Sequence, residues 1–136
     1  MNRSNYTNDC DTDPLDLGRW RARVASAIRG RRGQEFLREL AAAMDALPDK
    51  LLIAGQLVDE EGDCCSIGAV CKARGIDTAG MDADGVEYTA EWLGAPWPLA
   101  AEIAYLNDYW PDETPAARWQ RMRRWVDRHI TQETGK

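Results

Sequence analysis

The strongest constraint on the fold lies near the end of the chain, where Thr114 and Pro115 precede Trp119, Met122, Val126 and Ile130 at intervals of three and four residues. A hydroxyl residue followed by proline marks a helix start: the Thr oxygen accepts from a free N–H, and proline needs no donor in the first turn. The apolar spacing then predicts one helix whose inner face carries Trp119, Met122 and Val126 into the core. Shorter versions of the pattern recur upstream. Trp20, Val24, Ala27 and Ile28 mark a helix over 18–30, and Phe36, Leu37, Leu40, Ala41, Met44 and Leu47 mark one from about 34 to 47, ended by Pro48. Gly30 and Gly33 bracket Arg31 and Arg32 as a break between the two, which makes an αα-hairpin. Ser66 reads as the N-cap of a short helix over 67–74, closed by Gly75. Two more helices are predicted over 86–93, ending at Gly94, and over 97–107, ending at Asn107 and Asp108 with Pro96 and Pro98 in its entry. The stretch from 49 to 65 admits two readings, a small β-hairpin near 54–65 turning at Gly62, or a helical turn over 49–57 that runs into a loop. The expectation is a mainly α protein, a compact bundle of five or six short helices with at most one small β-hairpin near 54–65.

At 136 residues with 44% hydrophobic content and six Trp, the chain can bury one core but not two. The division expected is a flexible acidic lead-in over 1–16, in which Tyr6 could dock, a single helical domain over 17–131 and a polar tail over 132–136. The first sixteen residues lack the apolar core of a signal peptide, and no stretch reaches the ~20 apolar residues of a membrane span. A cytoplasmic protein that does not engage membranes follows. In that reducing compartment Cys10, Cys64, Cys65 and Cys71 read as buried or free thiols rather than bridges.

Charge is segregated along the chain. Seven arginines fall between 19 and 38 and five between 118 and 128, while the chain as a whole carries −6. Residues 81–117 hold eight acids and no Lys or Arg. The arginines nominated to contact a partner are Arg19, Arg21, Arg23, Arg29, Arg31 and Arg32 in the first block, and Arg121, Arg123, Arg124 and Arg128 in the second. The competing reading is internal neutralisation, with these guanidiniums paired to the 81–117 acids or stacked on Trp. The acids of 40–65 and 81–117 could in turn gather as one face toward a basic partner, or simply keep the domain soluble.

Motifs for chemistry are weak. His129, the only histidine, reads as a helix-end residue facing free carbonyls rather than as a base for a cysteine. Cys64, Cys65, Cys71 and His129 have the composition of a zinc set, but CCSIGAVC lacks the paired spacing of a knuckle. Asp82 and Asp84 before Gly85 are a fragment of a calcium loop without its closing glutamate. The segment Gly30–Gly33 lacks the Lys-Ser/Thr of a phosphate loop and follows a helix instead of a strand. Helices 86–93 and 97–107 have the length of a helix-turn-helix, yet the second carries Glu102 and Asp108 at its side and end and no cation. The expectation is no enzyme, no metal and no cofactor.

Several segments resemble a family of small uncharacterised proteins of tailed phages and prophages of proteobacteria. They are the opening Tyr6, Thr7, Asp9, Cys10 and Asp11, RWRARVASAIRGRRGQEFLREL at 19–40, AAMDALPDKLLIAGQL at 42–57, CSIGAVCKARGID at 65–77, AAEIAYLND at 100–108 and ETPAARWQRMRRWV at 113–126. The chain departs from the pattern at Ser66-Ile67 and at Cys71, where the family carries glycine. The resemblance implies a phage accessory protein that binds a host macromolecule, a host protein of a defence or nucleic-acid-processing system. The alternative is a nucleic-acid-binding regulator that uses the arginine-rich helices.

Overall fold

A computed structural model describes residues 14–78 and 86–131. Six helices follow in order: α1 (Pro14–Arg29), α2 (Arg31–Asp45), α3 (Ser66–Ala73), α4 (Val86–Leu93), α5 (Trp97–Asn107) and α6 (Pro115–His129). The mainly α bundle expected from the apolar spacing is what forms. The helix α5 is apolar around its circumference except at Glu102 and occupies the centre, with Leu99, Ala100, Ala101, Ile103 and Ala104 all buried. It packs against α1, α3, α4 and α6, while α2 packs against α1, α3 and α6. Leu37, Leu40, Met44, Leu52, Ile67, Val70, Met122 and Val126 fill the main core between them. A smaller cluster of Ala90, Ala100, Ala101 and Ala104 lies under Trp20, and its small side chains let α4 and α1 approach α5 closely.

The helix ends follow local chemistry. Thr114 Oγ1 accepts the Ala117 N–H at 3.1 Å with Pro115 in the first turn, as its residue types predict. Gly75 and Gly94 both take φ +71°, and the next residue's N–H returns to a carbonyl one turn back: Ile76 to Cys71 at 2.9 Å and Ala95 to Ala90 at 3.0 Å. Ser66 is not the cap expected. Cys65 caps α3 through its sulfur, which accepts from Gly68 N–H at 3.4 Å, and Ser66 is the first helical residue. Its N–H and hydroxyl instead donate to buried Asn107 Oδ1 at 3.0 and 2.8 Å, a tertiary partner that local sequence does not reveal.

Three further expectations are corrected. Only Gly30 separates α1 from α2; Gly33 lies inside α2, where a Cβ would stand 1.8 Å from the Ala27 carbonyl oxygen. The glycine permits close approach of two helices rather than a break, and Arg31 and Arg32 are in the first turn of α2. Residues 14–16, read as lead-in, belong to α1, because Pro14 suits a first turn and Asp16 complements its dipole. The rest of the lead-in with Tyr6 and Cys10, the Asp82–Asp84 segment and the tail lie outside the described residues. Trp119 is half-buried: its ring lies over the end of α2, with Nε1 donating to the Met44 carbonyl at 3.1 Å, while Met122 and Val126 are buried as expected.

No helix forms over residues 49–57, and the hairpin near 54–65 is reduced to a single bridge. One antiparallel bridge joins Val58 to Cys64, and no strand extends from it among the described residues. The turn is held by Asp59, whose Oδ1 accepts the N–H groups of Glu61 and Asp63, both at 2.9 Å. Gly62 supplies the left-handed residue at φ +87°. Pairing stops there because α3 presses on the strand end: a Cβ on Gly68 would stand 1.9 Å from the Leu57 oxygen.

Candidate functional site

The ten nominated arginines sort into two populations. Arg19 pairs with Asp16 at 3.4 Å and Arg31 with Glu35 at 3.3 Å, both exposed and within one helix. Arg32 donates twice to the Gly94 carbonyl, at 3.0 and 3.3 Å. Arg121 grips Glu113 with two bonds of 2.8 Å, and Arg123 grips Asp45 at 2.9 and 3.1 Å. The Arg121 hydrogen bonds hold the Glu113 carboxyl below the usual carboxylate range, and Arg123 does the same to Asp45. Arg23 lies 5.6 Å from the ring centroids of both Trp20 and Trp97, which meet edge to face at 5.1 Å. Those six are engaged within the protein. Among their acidic partners only Glu113 comes from the 81–117 block, so its acids do not neutralise the arginine blocks as a group.

The remaining four, Arg21, Arg29, Arg124 and Arg128, make no hydrogen bond or ion pair among the described residues and are exposed. Arg21 and Arg29 from α1 line a cavity of about 320 Å³, closed on the opposite side by Trp125 and His129 of α6. Arg124 and Arg128 flank those two residues on the same helix. Ile28, Val24 and Ala25 supply the apolar part of the wall.

At the inner end of this cavity is Glu102 of α5, only 8% exposed, with Oε1 buried and lacking a hydrogen-bond partner among the described residues. Burial raises the Glu102 pKa above the ordinary glutamate value, and Arg21 and His129 oppose that shift without reversing it. His129 Nδ1 lies 2.7 Å from the Trp125 carbonyl oxygen. A carbonyl only accepts, so Nδ1 carries the proton and donates it there. The imidazole lies 4.5 Å from the Trp125 ring, tilted by 33°, so the pair forms one aromatic wall. The helix-end role expected for His129 is present, and the cavity adds a second one. Glu102, read from sequence as part of an acidic surface, is instead the floor of a cationic pocket. Its signal was available: it is the one charged residue in the otherwise apolar α5.

The other candidate chemistry does not assemble. Cys64, Cys65 and Cys71 are buried free thiols, and burial pushes Cys64 up to about 12 and Cys71 up to about 11. Cys64 and Cys71 are therefore neutral at physiological pH and poor nucleophiles. His129 belongs to the α1–α6 cavity and not to the cysteines, and among the described residues no three His, Cys, Asp or Glu side chains gather to hold a metal ion. The helix α5 is central and buried, so it cannot lie in a DNA groove as a reading helix. No described helix is long and apolar enough to cross a membrane. No protein-family model matches the chain, and neither curated proteins nor solved structures yield a significant match.

Proposed function

We propose that this chain is a non-enzymatic binding protein, a phage accessory protein that engages a host macromolecule in the bacterial cytoplasm through the arginine face of α1 and α6. The observation that carries the reading is the sorting of the arginines. Six are engaged by partners within the protein, and of the four left over Arg21 and Arg29 line one cavity, while Arg124 and Arg128 are the chain neighbours of its wall residues Trp125 and His129. Unpaired guanidiniums near one another repel unless an anionic partner joins them. The neutral, buried thiols support binding over nucleophilic chemistry. The phage setting is drawn from the resemblance of residues 19–40, 65–77 and 113–126.

A nucleic-acid-binding regulator is the second reading, favoured by the same four arginines. Capture from proteobacterial lysate by the tagged protein, with and without nuclease, separates the two. A stoichiometric host protein that survives nuclease is the expected result. Recovery of nucleic acid alone, with an affinity for duplex DNA that falls with salt at a log–log slope of about −3.6 for four phosphate contacts, would install the second reading instead.

A further inference from the structure

The cavity beneath Arg21 and Arg29 is a built site, and its chemistry narrows what can enter. At the inner end, Glu102 Oε1 is buried without a partner. Buried polar oxygens are almost always satisfied, so this atom calls for an N–H or O–H donor from outside the chain. At the mouth stand the exposed guanidiniums of Arg21 and Arg29, which make no hydrogen bond among the described residues. A simple cation is turned away there, and a wholly anionic ligand would meet the carboxylate at the floor. The ligand that suits both ends presents a donor inward and negative charge outward. Between the ends lies the Trp125–His129 wall, with Val24 and Ile28 among the apolar residues, a surface that accepts a flat ring.

We propose that this cavity binds one nucleotide unit, its base inserted against Trp125 with a ring or exocyclic N–H donating to Glu102, and its phosphate held by Arg21 and Arg29. Each part matches a known preference: carboxylates accept from base amino groups, unstacked bases lie on aromatic side chains, and guanidiniums fork onto phosphate. The volume, about 320 Å³, falls at the lower end of small-molecule sites and suits one base rather than a stacked pair. The raised Glu102 pKa is compatible, since a carboxyl with or without its proton retains an acceptor oxygen for the base. The same chemistry could arrive as a free nucleoside monophosphate or as an unpaired nucleotide within a single strand. The site shares two arginines with the face proposed above but does not depend on the identity of the macromolecule bound there.

The test is calorimetric titration of the full chain with AMP, GMP, CMP and UMP, with the four nucleosides, with inorganic phosphate, and with a mixed-sequence single-stranded oligonucleotide. One monophosphate is expected to bind best, with its nucleoside and phosphate alone each at least about tenfold weaker. Glu102→Gln keeps the size and one acceptor of the side chain. It should weaken the preferred nucleotide by about tenfold and level the ranking among bases, which a merely structural role would not do. Arg29→Ala should weaken all four monophosphates alike. Binding by monophosphates that displace the oligonucleotide identifies the free nucleotide as the ligand, and binding by the strand alone identifies the unpaired base, provided Glu102→Gln weakens it too. The proposal is overturned if neither monophosphate nor strand binds at millimolar concentration. It is equally overturned if phosphate binds as tightly as any nucleotide, or if a folded Glu102→Gln protein keeps the wild-type base ranking. Any of these results leaves capture of a host partner by the arginine face standing, because that is read on a separate ligand.

Discussion

Removing Arg118 should cost more stability than removing any other arginine. Its side chain is 3% exposed, and each guanidinium nitrogen is occupied. Nε donates to the Asn107 carbonyl at 2.9 Å and Nη1 to the Leu52 carbonyl at 3.1 Å, while Nη2 donates to the carbonyls of Trp110 at 3.1 Å and Glu113 at 3.3 Å. The Glu113 carboxylate, 3.6 Å away, balances the charge. One side chain therefore ties the end of α5, the segment before the Val58 bridge and the entry to α6. Arg118→Ala leaves buried carbonyls at Leu52 and Asn107 without this donor. A single unsatisfied buried acceptor costs about 1–3 kcal/mol, and loss of one member of a buried ionic network costs about 3–5 kcal/mol, so a loss of about 3–5 kcal/mol is expected. With a urea m-value of about 2 kcal/mol/M, the midpoint should fall by about 1.5–2.5 M. Arg118→Met, which restores volume but no donor, should recover little of it. Urea unfolding followed by circular dichroism and by Trp fluorescence measures this, with Gln120→Ala as the exposed control. A loss below about 1 kcal/mol for Arg118→Ala at unchanged m would refute the bonding scheme.

Other consequences follow from named groups. Glu102 has a folded pKa above its unfolded value, so the folded state binds more protons there and stability falls as pH rises above about 4.5, the ordinary glutamate value. Glu102→Gln should therefore stabilise the protein by about 1–3 kcal/mol at neutral pH, and the gain should vanish below the ordinary glutamate pKa; a gain that persists at low pH would contradict the buried charge. Glu113 behaves oppositely. Its carboxyl is held below the ordinary value by Arg121, so its contribution is complete above that value and is lost as pH falls, and Glu113→Gln should flatten the acid limb of the stability curve. Asn107→Asp replaces the amide that donates to the Ile53 carbonyl and the Asp108 carboxylate with a second anion, and should cost about 2–4 kcal/mol in the same urea assay. Cys64 and Cys71 should resist iodoacetamide in the native state at pH 8 and react on unfolding, as read by peptide mass spectrometry; rapid native labelling would show that the thiols are not buried as described.

How much of this was written locally varies by element. The start of α6 and the ends of α3 and α4 depend on Thr114, Pro115, Gly75 and Gly94, residues that act within one turn, and all are where their chemistry predicts. Errors arose where a residue serves a distant contact. Gly33 looks like a breaker but exists for its approach to Ala27, and Ser66 looks like a cap but donates to Asn107, 41 residues away. Arg118 sat within a block of arginines and carried no mark of burial. The site divides the same way. Charge counting found the two arginine blocks, but whether each guanidinium is free depends on partners as remote as Asp45 for Arg123, 78 residues away. Glu102 faces a cavity only because α1 and α6 flank α5, a packing that spacing alone cannot specify.

The central claim is that the four uncommitted arginines form the binding face. Its most direct measurement is capture from host lysate by a protein carrying Arg21→Glu, Arg29→Glu, Arg124→Glu and Arg128→Glu, beside a control carrying Arg19→Ala and Arg31→Ala, with both checked for wild-type helicity. The account predicts that the quadruple variant loses the partner while the control retains it. Equal capture by both, or loss in the control alone, would contradict it.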